Sequence, residues 1–343
     1  MKNINKILMT AFILLLVMGN AFAGGGNRTG TGGASELLIP IGARGISMGD
    51  ANVSTTTGVD ALFWNPAGSA KMENSASVVF SHMNYIADIG VEYGAVSANF
   101  EGLGVLSFSL KSLSVGNILV TTTQNPDGTG ETFSPQNLVA GITYARQLTE
   151  RIAVGITTNL VTETLGSVSA TGVAFNIGVM YDNLVDVPGL SFGVVMKNVG
   201  PQMKFSGSGL DYPASVQDLS RPPGFVKIDA AAFELPSTFE LGVGYKPQFN
   251  EQNTLQLAGT FVHNNFSGDE YKLGAEYAYD NTVFLRGGYT LSPKDQTDEY
   301  LYGPTAGLGL NYQMQGIGIK VDYAYRYVKF FDANHVFSVG LAF

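Results

Sequence analysis

The chain has 343 residues, a formal net charge of −9 and no cysteine. This excludes disulfides, cysteine-ligated metals, a thiol nucleophile and a lipidated cysteine start, and an acidic balance without basic clusters argues against nucleic acid. Hydrophobic residues make up 45% of the chain and charged residues 14%, well under the roughly 25% charged share of ordinary domains; a lipid-facing exterior accounts for the shortage.

Residues 1–23 read as a signal peptide. Lys2 and Lys6 give a positive start, 7–18 is apolar apart from Thr10, and Ala21-Phe22-Ala23 is a small-x-small cleavage site. The apolar run is shorter than the roughly 20 residues a spanning helix needs. Cleavage removes two lysines, moving the net charge from −9 to −11. Residues 24–36, rich in Gly, Thr and Asn, read as loop.

Between 41 and 70 lies the only long stretch after residue 34 without a strand-and-turn pattern. It carries Gly42-Ala43-Arg44, Met48-Gly49 and Trp64-Asn65-Pro66-Ala67, and Trp64 is the sole tryptophan. Residues 57–64 predict a short helix that Pro66 closes. Gly42, Gly45 and Gly49 permit tight turns and close approach to a wall, and Leu62, Phe63 and Trp64 form an apolar anchor.

From Ser75 the period changes to two. Alternation predicts fourteen strands, at about 75–83, 90–100, 103–113, 136–147, 151–162, 171–182, 189–198, 237–247, 253–264, 270–280, 282–291, 304–313, 316–327 and 334–343. Each is near the 9–11 residues that cross a bilayer at a tilt. Phe239, Leu241, Val243 and Tyr245 share one face while Glu240, Gly242, Gly244 and Lys246 share the other. A β-sandwich alternates too, and the connections separate the readings. With the last strand ending on the periplasmic side, the periplasmic links are all short, and the long ones (114–135, 199–236 and 292–303) all fall on the outer side. That is the outer-membrane pattern. The even strand number and terminal Phe343 agree. The expected fold is therefore all-β, a 14-stranded antiparallel transmembrane β-barrel.

The polar face holds Glu240, Lys246, Lys272, Glu276, Arg286, Lys320, Asp322 and Arg326. Charges of both signs cannot face lipid, so they predict an ion network bracing the lumen. His82, His263 and His335 lie apart near strand ends and suggest no metal. No Gly-x-Ser-x-Gly elbow occurs, so no enzyme and no cofactor is expected. The 124–130 segment has too few carboxylates for a calcium site and reads as a surface turn. The long 199–236 link carries Phe225, Val226, Ile228 and Phe233, predicting either a partner surface or a lid over the barrel mouth.

The pattern Gly42-Ala43-Arg44-x-x-x-Met48-Gly49-x-Ala51, followed by Ala61-Leu62-Phe63-Trp64-Asn65-Pro66-Ala67-Gly68, resembles the start of the FadL-like outer-membrane barrels. It is more similar to their PorV/PorQ branch, associated with type IX secretion. The resemblance implies that residues 24–74 fold into the lumen as a plug or hatch inside a barrel formed by 75–343, with Asn65, Pro66 and Ala67 as the hatch motif. A wide barrel needs such filling, and Arg44 is expected to pair with Glu240 or Glu276. The implied location is the outer membrane of a Gram-negative-type envelope, in contact with its lipid. The implied function is binding and shuttling of secreted proteins, with translocon and cargo as partners. The alternative is FadL-like transport of hydrophobic small molecules.

Overall fold

Strict alternation gives each strand one apolar and one polar face, and a closed sheet is the arrangement that leaves no edge in lipid. The computed structural model describes residues 32–214, 224–247, 250, 252–292, 300–314 and 316–343. The predicted signal peptide, at 1–23, lies outside these. The wall is built by β1 (Ala76–Asn84), β2 (Gly90–Phe100), β3 (Gly104–Ser114), β4 (Gln136–Gln147), β5 (Ile152–Leu165), β6 (Val168–Asp182) and β7 (Leu190–Val199). It continues through β8 (Thr238–Tyr245), β9 (Asn253–Asn264), β10 (Glu270–Tyr279), β11 (Val283–Leu291), β12 (Tyr302–Met314), β13 (Ile317–Val328) and β14 (Asn334–Ala342). Each pairs antiparallel with its sequence neighbours, and β14 returns to β1 with Val79 opposite Gly340, closing a 14-stranded barrel.

The outer face is an apolar belt. Phe80, Ile142, Ile177, Leu273, Leu285, Leu308 and Phe337 are all exposed on it. Inward positions are buried although many are polar, among them Ser107, Thr143, Asn159, Glu276 and Arg286. A core that faces inward and an apolar exterior match a wall solvated by lipid.

At the end where β1 starts and β14 finishes, the links are short, at 101–103, 148–151, 183–189, 246–252, 280–282 and 315–316. The opposite end carries the long links 115–135 and 200–237. Within the latter, Asp211–Ala214 pairs with Gly224–Lys227 as a hairpin, Met203–Lys204 pairs with Ala232–Phe233, and Ser206–Gly207 adds to the edge of β6. β5 and β6 reach 14 and 15 residues, beyond the predicted lengths, and carry the wall above its neighbours on that side.

Residues 34–72 form the plug. It has one α-helical turn, α1 (Ala43–Ser47), and short 3-10 turns at Ser35–Leu38, Gly58–Ala61 and Pro66–Lys71. The single helix expected over 57–64 with Pro66 as its stop is corrected here. Pro66 instead opens the last turn, because a first-turn proline has no needed N–H to lose. Asn65 caps that turn, its Oδ1 accepting from Ala67 N at 3.1 Å.

Candidate functional site: the plug and the inner wall

The plug seats against the wall where wall side chains are small. A Cβ on Gly155 of β5 would lie 2.6 Å from Ala67 N, and one on Gly288 of β11 would lie 2.6 Å from Gly49 Cα. Gly178 of β6 faces Asn65 directly. Asn65 Nδ2 donates to Val53 O at 2.9 Å and to Val179 O at 3.2 Å, so this one fully buried amide joins the two arms of the plug to β6. The expected wall contact of Gly45 is corrected: it packs on the Trp64 ring inside the plug. Gly49 does approach the wall, with φ +62, where L side chains are strained. There Thr305 Oγ1 accepts from Gly49 N at 3.1 Å and donates to Ser47 O at 3.0 Å. Ser338 Oγ accepts from Ala43 N at 2.8 Å. Met48 is fully buried beside Ala51 and Ala258.

The charged residues assemble into a chain that begins and ends on the plug. Arg44 donates to Glu276 of β10 at 3.0 and 3.1 Å; of the two carboxylates considered for it, Glu240 takes no part. Arg286 of β11 reaches Glu276 at 2.5 Å and Asp322 of β13 at 2.6 Å. Lys320 sits 3.5 Å from Asp322 and 2.9 Å from Asp60 of the plug. Three cations and three anions thus alternate. Arg286 and Asp322 meet across β12 only because Gly309 stands between them; a Cβ there would lie 2.7 Å from Arg286 Nη1. Burial opposes charge on Arg44, but Glu276 outweighs it and raises the guanidinium pKa. Burial likewise pushes Asp60 up, yet Lys320, with Arg44 behind it, holds its carboxyl below the ordinary value.

Three further pairs surround this chain. Arg326 grips Asp50 of the plug at 2.6 and 2.8 Å, Lys197 of β7 pairs with Glu240 at 2.8 Å, and Lys272 pairs with Glu270 at 3.0 Å. Lys246 is corrected: it lies past the end of β8, exposed, outside the network. Asp50, Asp60 and Lys197 were not singled out from sequence. Lys197 had a signal, since it alternates with the fully buried Val195; the two aspartates had none beyond lying in the plug.

At the upper end Glu36 is 1% exposed. Its Oε2 accepts from Asn137 at 3.2 Å. Burial, and then the nearby Glu163 carboxylate, raise its pKa to about 7. The three histidines stay apart: His82 binds Glu92, His263 binds Asp269 and His335 binds Tyr323. On the long link, Phe225 is 78% exposed, with Val226, Ile228 and Tyr212 beside it in the hairpin. Phe233, grouped with them from sequence, is corrected: it turns inward against Phe205 and Gly33, because its strand pairs with buried Met203.

The family model "Type IX secretion system protein PorV" matches residues 23–215, more than half of the chain. The chain belongs to the PorV family. No curated protein matches it. Among solved structures it is similar to the CymD monoaromatic hydrocarbon channel, at 15% identity and TM-score 0.56, covering 89% of this chain and 98% of that one. It is also similar to the Pseudomonas putida toluene transporter TodX, at 15% identity and TM-score 0.55, covering 87% and 96%. At such identities these two show the fold alone. The PorV assignment rests on the family match, which spans the plug and the wall through β7.

Proposed function

We propose that this PorV-family barrel is a non-enzymatic binding protein of the outer membrane, which holds secreted proteins and passes them on in type IX secretion. The observation that carries this is the hairpin above the barrel. Tyr212, Val226 and Ile228 stand exposed on one face of it and Phe225 on the other, on the long-link side, and exposed apolar residues clustered in that way mark contact surfaces. A plug anchored by ion pairs on several strands supports a closed wall that works through its rim. The transport alternative is weakened by the narrowness of the bore toward its upper end. The cavities between plug and wall there are about 40 and 90 Å³ and are lined by Lys111, Lys197, Glu240 and Lys272 as well as apolar groups. Larger spaces lie at both rims, one of about 390 Å³ beside Asp60 and Lys320 at the lower and one of about 320 Å³ beside Val199 and Glu234 at the upper.

Co-purification from mild detergent tests the reading. The wild type is expected to retain a secreted protein or a large envelope subunit. The triple change Phe225→Ser, Val226→Ser and Ile228→Ser is expected to lose it while keeping the heat-modifiable barrel band. Bound lipid or hydrocarbon with no protein partner, or retention unaffected by the triple change, overturns it.

A further inference from the structure

The ion pairs described above leave one buried cation outside them. Lys111, on the inner face of β3, is 5% exposed. Its Nζ donates to two plug carbonyls, Glu36 O and Ile39 O, each at 2.5 Å, and sits 5.0 Å from the centre of the Phe63 ring. None of the ion pairs among the described residues includes it. The Glu36 carboxyl, with its pKa near 7, supplies only part of a counter-charge at neutral pH. A buried ammonium without a counter-ion is costly, so Lys111 either gives up its proton or gains an anion.

The surroundings favour the anion. Beside Lys111 lies a cavity of about 40 Å³, room for roughly two or three waters or one small ion. The Tyr93 hydroxyl of β2 lines it, 5% exposed; Ser109 beside it can donate to the phenol oxygen, which leaves the Tyr93 O–H to donate into the cavity. The Asn176 amide of β6 lines it too; its oxygen is taken by Asn198 N at 2.8 Å, which leaves its NH₂ as the group to donate. Lys197 stands on a further side, paired with Glu240, and Phe63 and Leu62 of the plug form the apolar floor. The lining therefore presents donors from four strands and one unmatched positive charge. That surplus of one, and the cavity's size, limit the ligand to a small monovalent ion.

We infer that this cavity binds one small monovalent anion of chloride's size, through the remaining Lys111 proton, the Tyr93 hydroxyl and the Asn176 amide, and that the anion ties β2, β3 and β6 to the plug. Chloride-35 NMR line broadening on the purified barrel in detergent, in a gluconate buffer titrated with chloride, tests it. Wild type is expected to show saturable broadening above that of empty micelles. Lys111→Met is expected to abolish the excess, and Tyr93→Phe to weaken chloride binding roughly threefold to tenfold, the range for one lost hydrogen bond. Wild-type broadening no greater than that of micelles, as a neutral Lys111 would give, overturns the inference. So does an undiminished excess in Lys111→Met. If that variant does not form the barrel, Tyr93→Phe decides alone, and unchanged chloride affinity there overturns it.

Discussion

The two flanks of the plug are held by different physics. Toward β10–β14 it is bound by charge and hydroxyl: Arg44 to Glu276, Asp60 to Lys320, Asp50 to Arg326, and Thr305 bridging Ser47 and Gly49. Toward β5–β8, besides Lys71 on Asp182 at the lower rim, the Asn65 amide on Val179 O and Lys197 over the Phe63 and Trp64 rings, it is bound by fit. Pro66, Asn65 and Val53 lie on Gly155, Gly178, Gly193 and Gly242, where no side chain intervenes. Both flanks carry close glycine contacts, Gly274 and Gly288 on the first included, but only the first also depends on several charged partners that a substitution can remove.

Arg286→Met gives the sharpest contrast. It leaves Glu276 to Arg44 alone and Asp322 with only Lys320 at 3.5 Å, and breaking a buried pair from one side costs at most about 3–5 kcal/mol. Urea unfolding of the barrel is expected to shift by up to that amount. Changing Arg286 to Met together with Glu276→Gln and Asp322→Asn is expected to recover part of it; no recovery denies that the loss is electrostatic. Gly155→Val attacks the other flank. The added carbons fall on Ala67 N and Pro66 O, at 2.6 and 2.5 Å for the Cβ alone, and overpacking of this kind costs roughly 1–3 kcal/mol. Planar-bilayer conductance is expected to rise as the lower plug is displaced, with no change in salt sensitivity. A conductance equal to wild type shows that the fit is not tight.

The smallest effect is local and concerns the upper turn. Glu36 has a folded pKa of about 7 against an ordinary 4.5, so the fold favours its neutral form. The associated stability is complete below about pH 4.5 and is lost as pH rises through about 7. Hydrogen exchange at the Leu37 and Ile39 amides, corrected for intrinsic rate, is expected to quicken across that window. Glu36→Gln is expected to flatten the profile. An unchanged profile in that variant assigns the titration elsewhere.

The wall was legible because alternation is local. Each strand declares its faces in its own residues, and all fourteen fall within a few positions of expectation. The errors came where a contact depends on distant chain. Phe225 and Phe233 look equivalent in sequence, and only the pairing of 232–233 with 203–204 turns one inward. Lys246 continues the polar face of β8 in register, but the strand stops at Tyr245. Inward charges such as Glu276 and Arg286 could be read, since ions must avoid lipid. Their plug partners Asp50 and Asp60 could not, because an acid in an irregular segment carries no sign of what it will meet. Inward glycines were the least legible: Gly155 and Gly309 look like gaps in the pattern, and they are where the plug docks and where two ions join.

The path of the plug fixes how the protein can be assembled. Its chain leaves β1 at the lower rim, and Gly33 N bonds to Glu234 O at the upper one, so it runs the full height of the bore. It precedes every strand of the wall, yet the seam that encloses it joins β1 to β14, with Ser75 and Ala76 both donating to Phe343 O. The sheet can therefore be wrapped around a segment already present, as staves are hooped around a core, whereas threading forty folded residues into a finished cylinder would have to undo each ion pair on the way.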